Sequence, residues 1–153
     1  MSFLLDTNII LRLVEPVHPM YTAALEASSA LLAADEVVHI VPQNIAEFWN
    51  VCTRPLNQNG LGFSSDQTDA EVSRIETLFQ IVLDEPSIYK EWRELVVRHG
   101  VHGVRVHDAR LVAAMKVHDI THLLTFDDGD FKRYQEITVM TPADVLRVYP
   151  ATT

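Results

Sequence analysis

The sequence has few of the features that mark secreted, disulfide-bonded or membrane-spanning proteins. It contains a single cysteine, Cys52, so no disulfide can form within the chain. No apolar run approaches the roughly 18 residues needed to cross a bilayer. No basic segment precedes an apolar one at the N-terminus, as it would in a signal peptide. These absences predict a cytoplasmic protein. Cys52 lies in an apolar helical pattern, which favours a buried thiol over a nucleophile.

Basic residues are scarce in the first half of the chain. Only Arg12, Arg54 and Arg74 precede residue 90, whereas nine of the 12 basic residues and nine of the 21 acidic ones lie from Lys90 onward. The net charge of −9 therefore arises in the first half, and the second half is neutral. An acidic chain is generally unsuited to nucleic acid, but the neutral second half still permits a phosphate backbone to approach.

The sequence also lacks the motifs of several other hydrolases. It has no glycine-rich phosphate loop, and no second Asp follows two residues after Asp6, which argues against a small-molecule phosphatase. His107 and His118 are three helical turns apart and cannot form an i, i+4 zinc pair.

Short apolar runs alternate with helical patterns along the whole chain. Strands are predicted at residues 2–5, 37–41, 121–126 and 137–140. Helices are predicted at residues 9–14, 20–34, 43–53, 66–83, 86–99 and 106–119, with short ones at 131–135 and after Thr141. Residues 54–65 form a loop that is too long for a minimal connector. This order predicts a single α/β domain, 1–153, with a mainly parallel sheet.

Two of the predicted strands end on carboxylates, Asp6 and Asp127. The carboxyl ends of parallel strands meet at one edge of a sheet, and helices carrying Glu47 and Asp108 follow loops at that edge if the crossovers are right-handed. Each of three acids also has a simpler explanation. Asp6 is a favoured helix cap, Asp108 suits the first turn of a helix, and a Glu on a helix flank is usually solvated.

Four carboxylates in one place repel one another unless they are protonated or hold a cation. Hard oxygen ligands without Cys or His favour Mg²⁺ or Mn²⁺ over zinc. Such a metal polarises a phosphoryl oxygen and lowers the pKa of an attacking water. Residue types and positions alone therefore predict a metal-dependent phosphodiesterase or phosphatase.

Four segments together resemble the acidic motifs of the PIN domain family: FLLDTNIIL, NIAEFWNV, VHDARLVAAM and LLTFDDGDF. The resemblance covers nearly the whole chain and is greatest to the VapC-type toxin ribonucleases of bacterial toxin–antitoxin modules. It implies an α/β/α sandwich, cleavage of RNA that depends on Mg²⁺ or Mn²⁺, a homodimer, and a cognate antitoxin that blocks the site.

The resemblance also implies roles for individual acids. Asp6, Glu47, Asp108 and Asp127 match the four family acids in order. Asp6 and Asp108 would bind the metal, and Asp127 would complete the site directly or through water. Glu47 would orient a metal-bound water or hold a second ion. That water would attack the phosphorus in line, and the 3′-oxygen of the preceding nucleotide would leave.

Three further residues enter through the same resemblance. Asn8 and Thr125 match small polar positions that orient ligands or the phosphate. Asp130, beside Phe131, also fits a frequent family acid, so the fourth acid is Asp127 or, as the second choice, Asp130.

Other functions remain open at this point: a housekeeping PIN nuclease in RNA processing, and a PIN-like module that binds RNA or protein without catalysis. Substrate choice is expected to depend on loop 54–65 and on basic side chains near the site. The helices predicted at 20–34 and 66–83 could form a dimer interface or simply the core. An antitoxin would present a basic side chain, such as Arg, to the four carboxylates.

Overall fold

A five-stranded parallel sheet lies at the centre of the structure. The structure is a computed structural model, and it describes residues 1–150. The last three residues of the predicted domain, 151–153, lie outside the described residues. The strands are β1 (Ser2–Leu5), β2 (Val37–Ile40), β3 (Gln80–Ile81), β4 (His122–Leu124) and β5 (Thr138–Met140). Their order across the sheet is β3-β2-β1-β4-β5, and every neighbouring pair is parallel.

Pairs of helices connect β1 to β2, β2 to β3 and β3 to β4, and one more helix follows β5. They are α1 (Thr7–Leu13), α2 (Tyr21–Ala33), α3 (Pro42–Thr53), α4 (Ser65–Leu78), α5 (Pro86–Arg98), α6 (Arg105–Val117) and α7 (Pro142–Val148). Apart from α4, the long predicted helices begin and end within two residues of these bounds. In the described part of the chain, none of these helices combines the length and the apolarity needed to cross a bilayer.

Two predicted helices are wrong in part. The helix predicted at 66–83 ends at Leu78, because Phe79 is extended and Gln80–Ile81 pairs with β2 as the edge strand β3. The Val82 amide continues this ladder with a 3.0 Å hydrogen bond to the carbonyl of Ile40. The short helix predicted at 131–135 is instead a single 3-10 turn at Asp128–Phe131, directly after Asp127.

The sheet has an apolar core on each face, which confirms the α/β/α sandwich. On β1, Phe3 and Leu5 point to one face and Leu4 to the other, and all three are fully buried. The first core holds residues of α1, α2, α3, α4 and α7, including fully buried Cys52. The second holds residues of α5 and α6. The prediction that Cys52 is a core residue is therefore confirmed.

The sequence left open whether helices α2 and α4 belong to the core or form a dimer interface, and each helix has both a buried and an exposed apolar face. Each buries one face in the core: Ala24, Ala27 and Leu31 of α2, and Val72 and Ile75 of α4. Each also leaves leucines exposed, namely Leu25, Leu32 and Leu78. The core assignment is confirmed, and the dimer interface stays a prediction.

The long loop after α3 folds back against the end of that helix. The amides of Leu61 and Phe63 donate to the carbonyls of Val51 and Cys52, at 3.0 and 2.8 Å. Gly60 is required here, since a Cβ atom at this position would lie 1.9 Å from the Arg54 carbonyl oxygen. A short 3-10 helix, Leu56–Gln58, completes the loop.

Candidate active site

Asp6 lies at the carboxyl end of the central strand β1 and uses both carboxylate oxygens. Oδ1 accepts a 2.7 Å hydrogen bond from the Thr7 amide, so Asp6 caps α1. Oδ2 accepts a 2.8 Å bond from the Thr125 hydroxyl, which follows β4. The simpler explanation of Asp6 as a helix cap is thus correct, and the same side chain also faces the neighbouring strand end.

Burial raises the pKa of Asp6 to about 6. The hydrogen bonds from Thr125 and Thr7 oppose this shift, while the charges of Asp108 and Glu47 add to it. The three carboxylates therefore share one electrostatic environment. This is the convergence expected for acids gathered at the carboxyl edge of a parallel sheet.

Glu47 lies on α3 and is held by α1. Its Oε1 accepts a 3.1 Å hydrogen bond from the Thr7 hydroxyl and a 3.4 Å bond from the Gln43 side chain. Burial raises the pKa of Glu47, and the Asp108 charge adds to the shift. Glu47 is thus not the solvated helix residue that its position alone favours.

Asp108 lies in the first turn of α6, beside a cation. Nη1 of Arg105 lies 3.3 Å from its Oδ2. Burial raises the pKa of Asp108, and the hydrogen bond and charge of Arg105 oppose that shift. The negative charges of Asp130 and Asp127 raise the pKa of Asp108 further, so both candidates for the fourth acid interact electrostatically with Asp108.

The two candidates for the fourth acid have different partners. Asp127 Oδ2 accepts a 3.1 Å hydrogen bond from Nδ2 of Asn8, and the Asp127 amide donates to the Thr125 hydroxyl at 3.0 Å. Asp130 instead pairs with Arg105 at 2.6 Å. Asp127 is thus linked to Asp6 through Thr125, whereas Asp130 is linked to Asp108 through Arg105.

Asn44, a residue that positions the acids, was missed by sequence reasoning. Asn44 is fully buried, and its side chain accepts from the Val41 amide at 2.9 Å and donates to the Leu5 carbonyl and the Thr7 hydroxyl, both at 3.1 Å. It therefore ties the end of β1 to the start of α3 and fixes the Thr7 hydroxyl that donates to Glu47. The sequence did carry a signal for this role. The apolar run of β2 ends at Val41, and an Asn three residues later can accept a hydrogen bond from the backbone amide at the start of the next helix.

Arg105 and Gln43 were also missed. Arg105 bridges Asp108 and Asp130, and its spacing of three residues from Asp108 within one helix was a readable sign of an ion pair. The Gln43 amide donates to the His107 carbonyl at 2.8 Å and so connects α3 to the start of α6. Nothing in the local sequence of Gln43 reveals this contact.

The donor set fits a hard divalent cation, although the acids do not form a closed cage. Asp6, Asp108 and Asp127 offer carboxylate oxygens, the ligands that Mg²⁺ and Mn²⁺ prefer. Each oxygen of Asp6 accepts one protein hydrogen bond and retains a free lone pair. Over residues 1–150, no group of three His, Cys, Asp or Glu side chains is close enough to hold an ion as it stands. A metal at this site would compete with Arg105 for the Asp108 carboxylate.

Fold and site together define an α/β/α protein with an acidic site at the carboxyl edge of its parallel sheet. The family profile of the PIN domain matches residues 3–137. The chain therefore belongs to the PIN domain family. A comparison with curated proteins yields no match.

Solved structures with this fold include proteins of toxin–antitoxin pairs. VapBC2 from Rickettsia felis, bound to a DNA fragment from its promoter, is 17% identical with a TM-score of 0.65, over 92% of this chain and 98% of that one. FitAcB from Neisseria gonorrhoeae is 25% identical with a TM-score of 0.61, and the match covers 92% of this chain and 98% of the FitAcB chain. VapC20 from Mycobacterium tuberculosis, a toxin that cleaves the sarcin–ricin loop, is 21% identical with a TM-score of 0.62, over 84% and 92%. These similarities confirm the predicted fold and the resemblance to VapC-type proteins.

Proposed function

We propose that the protein is a metal-dependent endoribonuclease and the toxin of a toxin–antitoxin pair. The observation that carries this proposal is the coupling of Asp6, Glu47 and Asp108, three partly buried carboxylates with raised pKa values at one sheet edge. Such a group is costly for a protein to maintain unless a cation offsets the repulsion. Bound Mg²⁺ or Mn²⁺ would supply an activated water and stabilise charge on the phosphoryl group.

The residues of this chain have separable roles in the proposed site. Asp6, Asp108 and Asp127 would hold the metal. Thr125 orients Asp6 and Asn8 orients Asp127 through hydrogen bonds to their carboxylates. Glu47, held by the hydrogen bond from the Thr7 hydroxyl, would orient the attacking water and accept its proton. Because water is the nucleophile, no activated Ser or Cys is needed.

The biological context is part of the same proposal. One solved structure with this fold, from Klebsiella pneumoniae, is a toxin–antitoxin complex. We infer a cognate antitoxin for this chain as well, a homodimeric assembly, and action in the cytoplasm on RNA. An antitoxin Arg placed among the carboxylates would take the position of the cation.

Cleavage of total bacterial RNA by the purified protein tests the catalytic part. We expect discrete fragments with Mg²⁺ or Mn²⁺, none with EDTA, and none from Asp6→Asn or Asp108→Asn. Asp119→Asn is the matched control. Asp119 is an exposed acid just beyond the far end of α6 with a positive φ of 55°, a conformation that Asn tolerates. Cleavage by either site variant at the wild-type rate would refute the assignment of the acids.

A non-catalytic PIN module is the second candidate. It is favoured by one observation: within the described residues 1–150, no three potential ligands are preassembled. A calorimetric titration with Mn²⁺ separates the two candidates. The nuclease must bind Mn²⁺, and Asp6→Asn should abolish that binding, whereas the non-catalytic module has no need of the metal. A housekeeping nuclease would cleave RNA without inhibiting growth when it is expressed in bacteria.

A further inference from the structure

A groove of about 520 Å³ opens beside the acidic site, between α5 and α6. Ile88, Tyr89 and Trp92 line it from α5, and His107 and Arg110 line it from α6. The lining is mainly aromatic and apolar. None of these side chains has a role in the acidic site described above.

The two aromatic rings differ in how they are held. Tyr89 is exposed over 63% of its surface, although its ring is large and apolar. Trp92 is partly buried, and its indole N–H donates a 2.8 Å hydrogen bond to the Val106 carbonyl. The ring centroids lie 6.3 Å apart, with the planes inclined by 37°. A fixed indole thus forms the floor of the groove, and a free phenol ring stands at its wall.

The groove is directly connected to the acidic site. His107, which lines the groove, precedes Asp108 in the chain. The Gln43 side chain accepts from Arg110 at 3.2 Å and donates to the His107 carbonyl and to Glu47. The groove and the acids are therefore joined by the Gln43 side chain and by the start of α6, which places the groove next to the acidic site.

The charges around the groove favour an uncharged ligand group over a phosphate. Arg110 lines it but lies 3.3 Å from Asp84, and Glu85 adds a second carboxylate to the same rim. The local charge is therefore not positive, and a phosphate would gain little. A planar, uncharged, aromatic group would gain stacking area on the rings.

We propose that this groove binds an unpaired nucleobase of the RNA substrate, next to the phosphodiester that is cleaved. The base stacks on Tyr89 over the floor formed by Trp92, and Arg110 lies at its polar edge. The base must be unpaired, since a paired base in an RNA helix does not offer its face to a side chain. The proposal rests on the proposed function for its ligand, RNA, but not for its test.

Equilibrium binding without a metal tests the groove independently of cleavage. Fluorescently labelled single-stranded RNA of random sequence is titrated with protein in EDTA, and anisotropy is measured. We expect Tyr89→Ala to weaken binding about tenfold and Tyr89→Phe to retain wild-type affinity. Tyr89→Leu should weaken binding as Ala does, because it keeps the apolar surface but loses the aromatic face. The control is Val97→Ala, a residue of the same helix that is exposed over 77% of its surface and lies outside the groove.

Trp92 offers a second readout located in the groove itself. With Trp49→Phe, Trp92 is the one remaining tryptophan of the two. We expect RNA to quench its fluorescence, and Tyr89→Ala to shift the quenching to about tenfold higher RNA concentration. Absence of both RNA binding and quenching in the wild-type groove would overturn the proposal.

Other occupants of the groove would give different results. If Tyr89→Leu binds RNA as well as the wild type does, the RNA does not stack on an aromatic face at this position, and the proposal is wrong. If Tyr89→Ala changes the sedimentation of the protein but not its RNA affinity, a second copy of the chain covers the groove, and the proposal is again wrong.

The same experiments separate this proposal from the proposed function. If the protein does not cleave RNA, but Tyr89→Ala and Tyr89→Leu weaken RNA binding and Tyr89→Phe does not, only the nuclease activity is contradicted. If the protein cleaves RNA and Tyr89→Ala binds RNA with unchanged affinity, only the role of the groove is contradicted.

Discussion

The hydroxyl of Thr125 donates a 2.8 Å hydrogen bond to Oδ2 of Asp6 across the ends of two adjacent parallel strands. The Thr125 hydroxyl oxygen also accepts hydrogen bonds from the Asp127 amide at 3.0 Å and from Nδ2 of Asn8 at 3.3 Å. Thr125 is fully buried, so its hydroxyl is shielded from water. One hydroxyl thus fixes the first acid and the backbone that carries the fourth.

Replacement of Thr125 by Val should weaken metal binding while the fold is retained. Val keeps the shape but removes the donor, so the Asp6 carboxylate loses a hydrogen bond that lowers its pKa. We expect Mn²⁺ affinity and RNA cleavage to fall about tenfold or more, as for other partners of metal ligands. Thr125→Ser, which restores the hydroxyl, is the control. Equal Mn²⁺ affinity of the Val variant and the wild type, measured by calorimetry, would rule out the positioning role.

Asn44→Ala should destabilise the protein more than any nearby surface change. The substitution leaves the Val41 amide and the Leu5 carbonyl without their side-chain partner in the core. We expect the free energy of unfolding to fall by about 2–3 kcal/mol, measured by urea denaturation. Asn50→Ala, at an exposed position of the same helix, should change it by less than about 0.5 kcal/mol. Similar losses for both variants would contradict the role assigned to Asn44.

The sheet and the main helices were predictable because each carries a local pattern. Phe3–Leu5 and the runs at β2 and β4 are short, apolar and followed by polar residues, as buried parallel strands are. Strand β3 was missed because it has only two residues and follows α4 after a single extended residue, with apolar side chains that continue the helical spacing. Its strand conformation depends on pairing with β2, which no local pattern encodes.

The acids of the candidate site were predictable, but their partners were not. Asp6 and Asp127 could be read from strand ends, and Glu47 and Asp108 from the family motifs. The contacts that hold them join residues far apart in the chain: 40 positions from Thr7 to Glu47 and 119 from Asp6 to Thr125. Such contacts arise only once the strands are ordered in the sheet, so Asn44 and Arg105 gained their roles from the fold.

Cys52 should be unreactive in the folded protein. It is fully buried, and burial, with smaller contributions from Glu15 and Glu71, raises the pKa of its thiol to about 12. Because the thiolate is the reactive species, modification by a disulfide reagent at pH 8 should be negligible without denaturant and complete in urea. Rapid labelling of the native protein would show that the α3 end opens readily.

The pH dependence of stability should reveal the buried carboxylate of Asp6. Its pKa rises from 3.8 to about 6 on folding, so the folded protein binds more protons than the unfolded chain in that interval. The stabilising contribution of this group is complete below pH 3.8 and is lost as the pH rises through 6. The loss approaches about 3 kcal/mol, and the raised pKa values of Glu47 and Asp108 act in the same direction.

The measurement is urea denaturation of metal-free protein between pH 4 and pH 8, compared with Asp6→Asn. The variant should be the more stable protein at pH 8 and should show a weaker decline with pH, because its amide cannot ionise. Addition of Mn²⁺ should stabilise the wild type more at pH 8 than at pH 5, since the ion competes with the proton for the same oxygen atoms. Identical pH profiles for both proteins would show that Asp6 is not the titrating group.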